Sequence, residues 1–149
     1  MPVFFVDSSA LVKRYHAELG SQYVTSVIES AQGLTVSRFT KVEVTAALVR
    51  RARHANEPVE KINGVLATLE ADFRDSFNVV ELDAPLLEQA AVLAGKHGIR
   101  GADAVQLACL TLVRHDDPTI ELVVLSADDE LNAAATVEGF RVENPNLHP

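Results

Sequence analysis

Five short apolar runs, separated by stretches of helical periodicity, constrain this chain more than any other feature of it. Pro2-Val-Phe-Phe-Val-Asp7, Gly33-Leu-Thr-Val-Ser37, Asn78-Val-Val-Glu-Leu82, Glu121-Leu-Val-Val-Leu125 and Phe140-Arg-Val142 have strand length and strand composition. Between them the apolar residues recur at helical spacing. Ser8-Ser9 opens a helix through Leu11, Val12 and Tyr15 that closes near Gly20, and Tyr23, Val24, Val27 and Ile28 mark a second. Phe39, Val42, Ala46 and Val49 mark a long third helix that ends in the basic run Arg50 to His54. Glu57-Pro58 starts a fourth helix running toward Asp75, with proline tolerated in a first turn. Pro85 starts a fifth that runs to about His97, and residues 102–115 and 127–137 supply two more. Alternation of this kind predicts an α/β fold, a mainly parallel sheet sandwiched between helices. With no repeat, low-complexity tract or linker, residues 1–149 are expected to form a single domain.

Composition narrows the class. The chain is 48% hydrophobic and 23% charged, as in an ordinary globular protein. Its 13 basic and 21 acidic side chains give a net charge of −8, which argues against a surface that grips nucleic acid everywhere. A local basic rim around an acidic pocket remains compatible with that balance. Cys109 is the single cysteine, so an internal disulfide and a thiolate zinc cage are excluded. A reducing, cytoplasmic location is expected, with no secretory leader or membrane span. The longest apolar run, Ala104 to Val113, interrupted by Gln106 and Thr111, is half the roughly 20 residues a span requires.

Four carboxylates occupy positions where a carboxylate is costly. Asp7 closes the first strand, at the sheet edge where open α/β sheets bind ligands. It could instead cap the next helix, unless Ser8 or Ser9 takes that task. Asp128 follows the strand Glu121 to Leu125 near the same edge. Ser126 and Asp129 have the spacing of a capping box, which would leave Asp128 to face a cleft. Both acids also suit the positive end of a helix dipole, and the choice between Asp128 and Asp129 stays open. Glu43 sits at the border of the third helix's apolar stripe, beside Phe39 and Ala46 and opposite Lys41. Asp103 lies in the first turn of a helix that is apolar nearly all round, on the face of Leu107 and Leu110, with Arg100 as an available partner.

A buried charge needs a cation or hydrogen bonds. Two carboxylates about 5 Å apart repel by about 3 kcal/mol at an effective dielectric near 20. If the four acids converge, a divalent cation with oxygen ligands would relieve them.

Specific stretches carry a resemblance. They are Val6-Asp-Ser-Ser-Ala-Leu-Val-Lys13, Glu43 within Thr40-Lys-Val-Glu-Val-Thr-Ala-Ala-Leu48, Arg100-Gly-Ala-Asp-Ala-Val-Gln-Leu-Ala108, Ser126-Ala-Asp-Asp-Glu-Leu131 and the closing Gly139-Phe-Arg-Val-Glu-Asn-Pro145. In that order, over the whole chain, they resemble PIN-domain ribonucleases, and more narrowly the VapC toxins of type II toxin–antitoxin modules. The resemblance implies a three-layer α/β/α fold and endoribonuclease activity dependent on Mg²⁺ or Mn²⁺. It places the catalytic and metal-ligating acids at Asp7, Glu43, Asp103 and Asp128, with Ser8, Ser126 and Arg100 in support. It also implies RNA as substrate, a VapB-type antitoxin as partner and a homodimer.

Cations for the RNA backbone would come from Lys13, Arg14, Arg38, Lys41 and Arg50-Arg51-Ala52-Arg53. That last run reads first as a solvated helix end complementing the dipole. Rival classes find less support. A phospho-receiver domain would need an acid pair at the first strand and a late lysine, and a silent interaction module would need no metal. Another metal nuclease, directed at DNA or RNA, is the nearest alternative. The chain has no G-x-S-x-G elbow, Walker loop or G-x-G-x-x-G, and its five histidines lack metal-ligand spacing.

Overall fold

The structure, a computed structural model, describes residues 2–149. In chain order its elements are β1 (Val3–Val6), α1 (Ser8–Tyr15), α2 (Ser21–Ser30), β2 (Leu34–Ser37), α3 (Arg38–His54) and α4 (Val59–Asp75). They continue with β3 (Asn78–Val80), α5 (Ala84–His97), α6 (Gly101–Asp116), β4 (Leu122–Leu125), α7 (Asp129–Val137) and β5 (Arg141–Glu143). The five strands form one sheet in the order β3-β2-β1-β4-β5, and every pair is parallel. The expected α/β class and three-layer α/β/α architecture are therefore those of the protein.

Strand alternation divides the core in two, because successive side chains of a strand face opposite sides of the sheet. Phe5 and Val124 pack with Leu107 and Leu110 of α6, Leu131 of α7 and residues of α5. Val6 and Leu125 pack on the other side with Leu11 of α1, Val24 of α2, Val44 of α3 and Leu69 and Phe73 of α4. No helix among the described residues is long and apolar enough to cross a membrane.

The topology positions the site. From β1 the chain winds outward through β2 to β3, then returns to place β4 on the other flank of β1. The strand order reverses between β1 and β4, whose ends are in register at Val6 and Leu125. A crevice opens outside the carboxyl ends of strands at such a point, since the crossovers leave in opposite directions. Asp7, Ser126 and Asp128 stand immediately beyond those two strand ends.

Three sequence expectations need correction. The buried face of α3 is Thr40, Val44 and Leu48, whereas Val42 is 60% exposed and Ala46 faces solvent. Apolar spacing alone misled, because Thr40 is polar yet fully buried and hydrogen-bonded at the helix start. Asp7, not Ser8 or Ser9, caps α1, accepting from the Ser9 amide. Asp128, not Ser126 with Asp129, caps α7, accepting from the Leu131 amide. The Ser126 hydroxyl accepts from the Asp128 amide instead, two residues before the N-cap and so outside the helix.

Gly20 has φ +84°, and a Cβ there would stand 2.5 Å from the Pro145 carbonyl oxygen. Gly98 has φ +65° but open space around it. The left-handed conformation alone costs a non-glycine residue about 1–2 kcal/mol. Gly98→Ala is expected to lose that amount, and Gly20→Ala distinctly more because backbone must move. On thermal unfolding this corresponds to a drop of about 2–6 °C for Gly98→Ala and a larger one for Gly20→Ala. Equal melting temperatures for the two variants would contradict the packing of the α1–α2 turn against the C-terminal segment.

Candidate active site

Asp7 is 3% exposed, and its carboxylate is surrounded by donors. Oδ2 accepts from the Ser9 amide at 3.3 Å, the Ser9 hydroxyl at 2.7 Å and the Ser126 hydroxyl at 3.3 Å. Oδ1 accepts from the Gln106 side-chain amide at 3.0 Å. These bonds replace the water that burial removed, which allows a charge to sit at the end of a buried strand.

Three other elements bring the remaining acids to the same crevice. Glu43, half-buried on α3, accepts from the Ser8 hydroxyl at 3.1 Å. Asp103, in the first turn of α6, is 7% exposed. Asp128, at the head of α7, accepts from the Leu131 amide at 3.0 Å through Oδ1. Its Oδ2 accepts from Arg100 at 2.8 Å, and Arg100 also approaches Asp103 at 3.4 Å. Asp7, Glu43, Asp103 and Asp128 line one pocket with Ser8, Ser9, Arg50, Arg51 and Arg100. Asp129 is exposed and does not line it.

The acids feel one another across this pocket. Burial pushes the Asp103 carboxyl up to about 6, the charge of Asp128 adds to the rise, and Arg100 opposes it. Burial also raises Glu43, with Asp7 contributing next and the Ser8 hydroxyl pulling the other way. Such mutually raised carboxyls are short of positive charge, and Arg100 supplies only part of it.

Whether the donors suit a divalent ion follows from their chemistry. All are hard oxygens, the ligand type Mg²⁺ and Mn²⁺ take. Among the described residues, however, no three His, Cys, Asp or Glu side chains stand close enough to form a ready-made cage. An ion that retains several waters and takes one or two carboxylates directly fits this open arrangement. A fully dehydrated ion does not.

The cations are not where the sequence suggests. Lys13 is buried, donating to Glu18 at 3.1 Å and to the Leu19 carbonyl at 2.8 Å. Arg14 pairs with Asp72 at 2.9 Å, Arg38 pairs with Glu81, and Lys41 pairs with Glu70. These four fasten α1, α3 and α4 to their neighbours. Arg50 and Arg51, read from sequence as a solvated helix end, instead line the acidic pocket, and Arg51 also pairs with Glu18 at 3.5 Å.

The family model described as the PIN domain matches residues 4–137. The chain belongs to the PIN-domain family. It is also similar to ribonuclease VapC45 of Mycobacterium tuberculosis, with 36% identity over 152 residues covering 100% of both chains. Its fold resembles the crystal structure of M. tuberculosis VapC20, a Sarcin-Ricin loop cleaving toxin, at a TM-score of 0.68 and 20% identity, covering 92% of this chain and 95% of that one. A toxin–antitoxin complex from Klebsiella pneumoniae is similar at a TM-score of 0.62 and 16% identity, covering 97% and 98%.

Beyond the expected acids, this PIN-domain chain places Ser9, Thr40 and Gln106 in the polar network behind Asp7. None of the three was among the expected site residues. The available signal was Gln106 itself, a polar residue three positions after Asp103 in an otherwise apolar helix.

The raised Asp103 carboxyl makes a pH-dependent prediction. Its folded value of about 6 exceeds the ordinary 3.8, so the folded chain holds this proton more tightly than the unfolded chain. The associated stability is complete below about pH 4 and is lost as pH rises through 6. Without divalent metal, Asp103→Asn should therefore raise the melting temperature by a few degrees at pH 7.5 and by nothing measurable at pH 4. A gain of the same size at both pH values would disprove the assignment.

Proposed function

We propose that this PIN-domain chain is a metal-dependent endoribonuclease, the toxin of a VapBC-type module, hydrolysing RNA phosphodiester bonds at its acidic pocket. The observation that carries the reading is the gathering of four carboxylates from β1, α3, α6 and α7 into one pocket at the sheet's switch point. Similarity over the full chain to a ribonuclease of the VapC group supports RNA as the substrate class.

Asp7 and Asp103 are the main candidates to hold Mg²⁺ or Mn²⁺, with Glu43 and Asp128 completing the set directly or through water. Bound metal lowers the pKa of water and stabilises the charge that grows on the scissile phosphate. The chain's own residues do the rest. Ser9, Ser126 and Gln106 hold the Asp7 carboxylate at a fixed angle. Ser8 holds Glu43 by one oxygen, leaving the other, Oε2, to take a proton from the attacking water. Burial and the nearby Asp7 raise the Glu43 carboxyl above the usual carboxylate range, which makes its ionised form a stronger base. Arg50 and Arg51 offer the phosphates a positive wall beside the acids. Arg100 bridges Asp103 and Asp128, and it would be free to face a phosphate if those carboxylates held a metal instead.

A VapB-type antitoxin is the proposed partner, supported by the toxin–antitoxin complex that shares this fold. A homodimer is proposed with it, and the outward Val42 of α3 is apolar surface available for such a contact. The protein would act in the cytoplasm, where its RNA substrates are.

Incubation with RNA and, in parallel, DNA of the same sequence under Mn²⁺ tests the reading. RNA cleavage is expected, abolished by chelation and reduced at least a hundredfold in Asp7→Asn and in Asp103→Asn while circular dichroism stays native. Cleavage of DNA alone, or wild-type turnover in either variant, would refute it.

The basic wall makes a separate prediction for binding. In cleavage-dead Asp7→Asn protein, Arg50→Ala and Arg51→Ala should each weaken RNA binding similarly across unrelated sequences. Each should also reduce the slope of log affinity against log salt by roughly 0.7, the single-strand value for one phosphate contact. An unchanged slope would return both arginines to the role of solvated helix end.

A further inference from the structure

Gln106 is 1% exposed, in the middle of the buried face of α6, where its neighbours are Ala104, Leu107, Ala108 and Leu110. An uncharged amide in such a position is costly unless it is fully hydrogen-bonded. Its nitrogen is satisfied twice, donating to Asp7 Oδ1 at 3.0 Å and to the Thr40 hydroxyl at 2.7 Å. Its oxygen, Oε1, is buried with no partner. An unpaired buried acceptor is costly, so packing alone would favour leucine or methionine at this position. The amide orientation is nevertheless fixed, because turning it over would point oxygen at the Asp7 carboxylate.

The two bonds join three elements. Asp7 ends β1, Thr40 lies in the first turn of α3 one turn before Glu43, and Gln106 lies one turn after Asp103 on α6. Thr40 is itself anchored, its amide donating to the Ser37 hydroxyl at 3.1 Å and its hydroxyl lying 3.1 Å from the same oxygen. One side chain therefore ties together the three segments that carry Asp7, Glu43 and Asp103.

We propose that Gln106 is a positioning residue that sets the Asp7 carboxylate and the mutual spacing of Asp7, Glu43 and Asp103 before any ligand arrives. This rests on the metal-site reading above. A carboxylate has about four lone-pair directions. With Oδ2 taking bonds from Ser9 and Ser126 and Oδ1 one from Gln106, the direction left open on Oδ1 is the one available to a cation. Without the Gln106 donor that oxygen is free to rotate, and α3 and α6 lose their polar tie. Partners that orient a metal ligand in this way are typically worth 10–100-fold in metal affinity.

The test measures Mn²⁺ binding by calorimetry on wild-type protein, Gln106→Met, Thr40→Val and Thr40→Ser, with circular dichroism to verify folding. Gln106→Met keeps length and volume but has no donor. Its Mn²⁺ affinity should fall at least tenfold while the chain stays folded, and its RNA cleavage should lose kcat with KM little changed. Thr40→Val should weaken Mn²⁺ several-fold, and Thr40→Ser, which keeps the hydroxyl, should restore it. A folded Gln106→Met with wild-type Mn²⁺ affinity would overturn the proposal, since a residue that only packs alters melting temperature alone. Should Gln106→Met not fold, an unaltered affinity in Thr40→Val overturns it equally. Wild-type protein that binds no Mn²⁺ would remove the metal site itself, and this inference with it.

Discussion

Everything at this site depends on the parallel pairing of β1 with β4 at the point where the strand order reverses. That pairing sets Val6 beside Leu125, so the residues that follow, Asp7 and Ser126 to Asp128, leave the sheet side by side. The helices they enter diverge, α1 toward one face and α7 toward the other. Between them lies the only kind of space a doubly wound sheet leaves open, and helix starts from both layers point into it. Asp103 arrives there because α6 packs flat on the sheet through Leu107 and Leu110. Glu43 arrives because α3 packs on the opposite face through Val44 and Leu48.

The pocket holds its charge by unequal means. Asp7 is satisfied by a shell of hydroxyl and amide donors. Asp103 is buried with far fewer, chiefly a long contact to Arg100, and its raised pKa reflects that difference. A carboxyl left short of donors is a stability cost in the free protein and a source of affinity for a cation. The same division recurs in the arginines. Arg14 and Arg38 are paired in ion bridges that hold helices to their neighbours, while Arg50 lines the acidic pocket and Arg51 lines it while also pairing with Glu18 at 3.5 Å. A protein of net charge −8 thereby keeps a short positive wall beside its acidic pocket.

Much of this was legible in the chain. Alternating apolar runs and helical periods were sufficient for the layered parallel sheet, since short doubly buried strands have few other ways to be connected. Asp103 announced itself as a charge in an apolar helix, and Asp7 as a charge at a strand end. Local rules failed where two roles shared one side chain. Asp128 caps α7 and faces the pocket at once, so the capping-box spacing of Ser126 and Asp129 pointed to the wrong residue. Thr40, buried and polar, hid the true inward face of α3 behind the apolar Phe39 and Val42.

What the sequence determined by itself was therefore the class of fold and which carboxylates stand out of place, because periodicity and misplaced charge are local properties. Tertiary structure alone decided which cations face them and which uncharged residue binds Asp7. Gln106 and Thr40 are 66 positions apart, and Gln106 and Asp7 are 99 apart. No local pattern encodes a hydrogen bond over such separations. It exists because two helices pack on opposite faces of one sheet and meet at its edge.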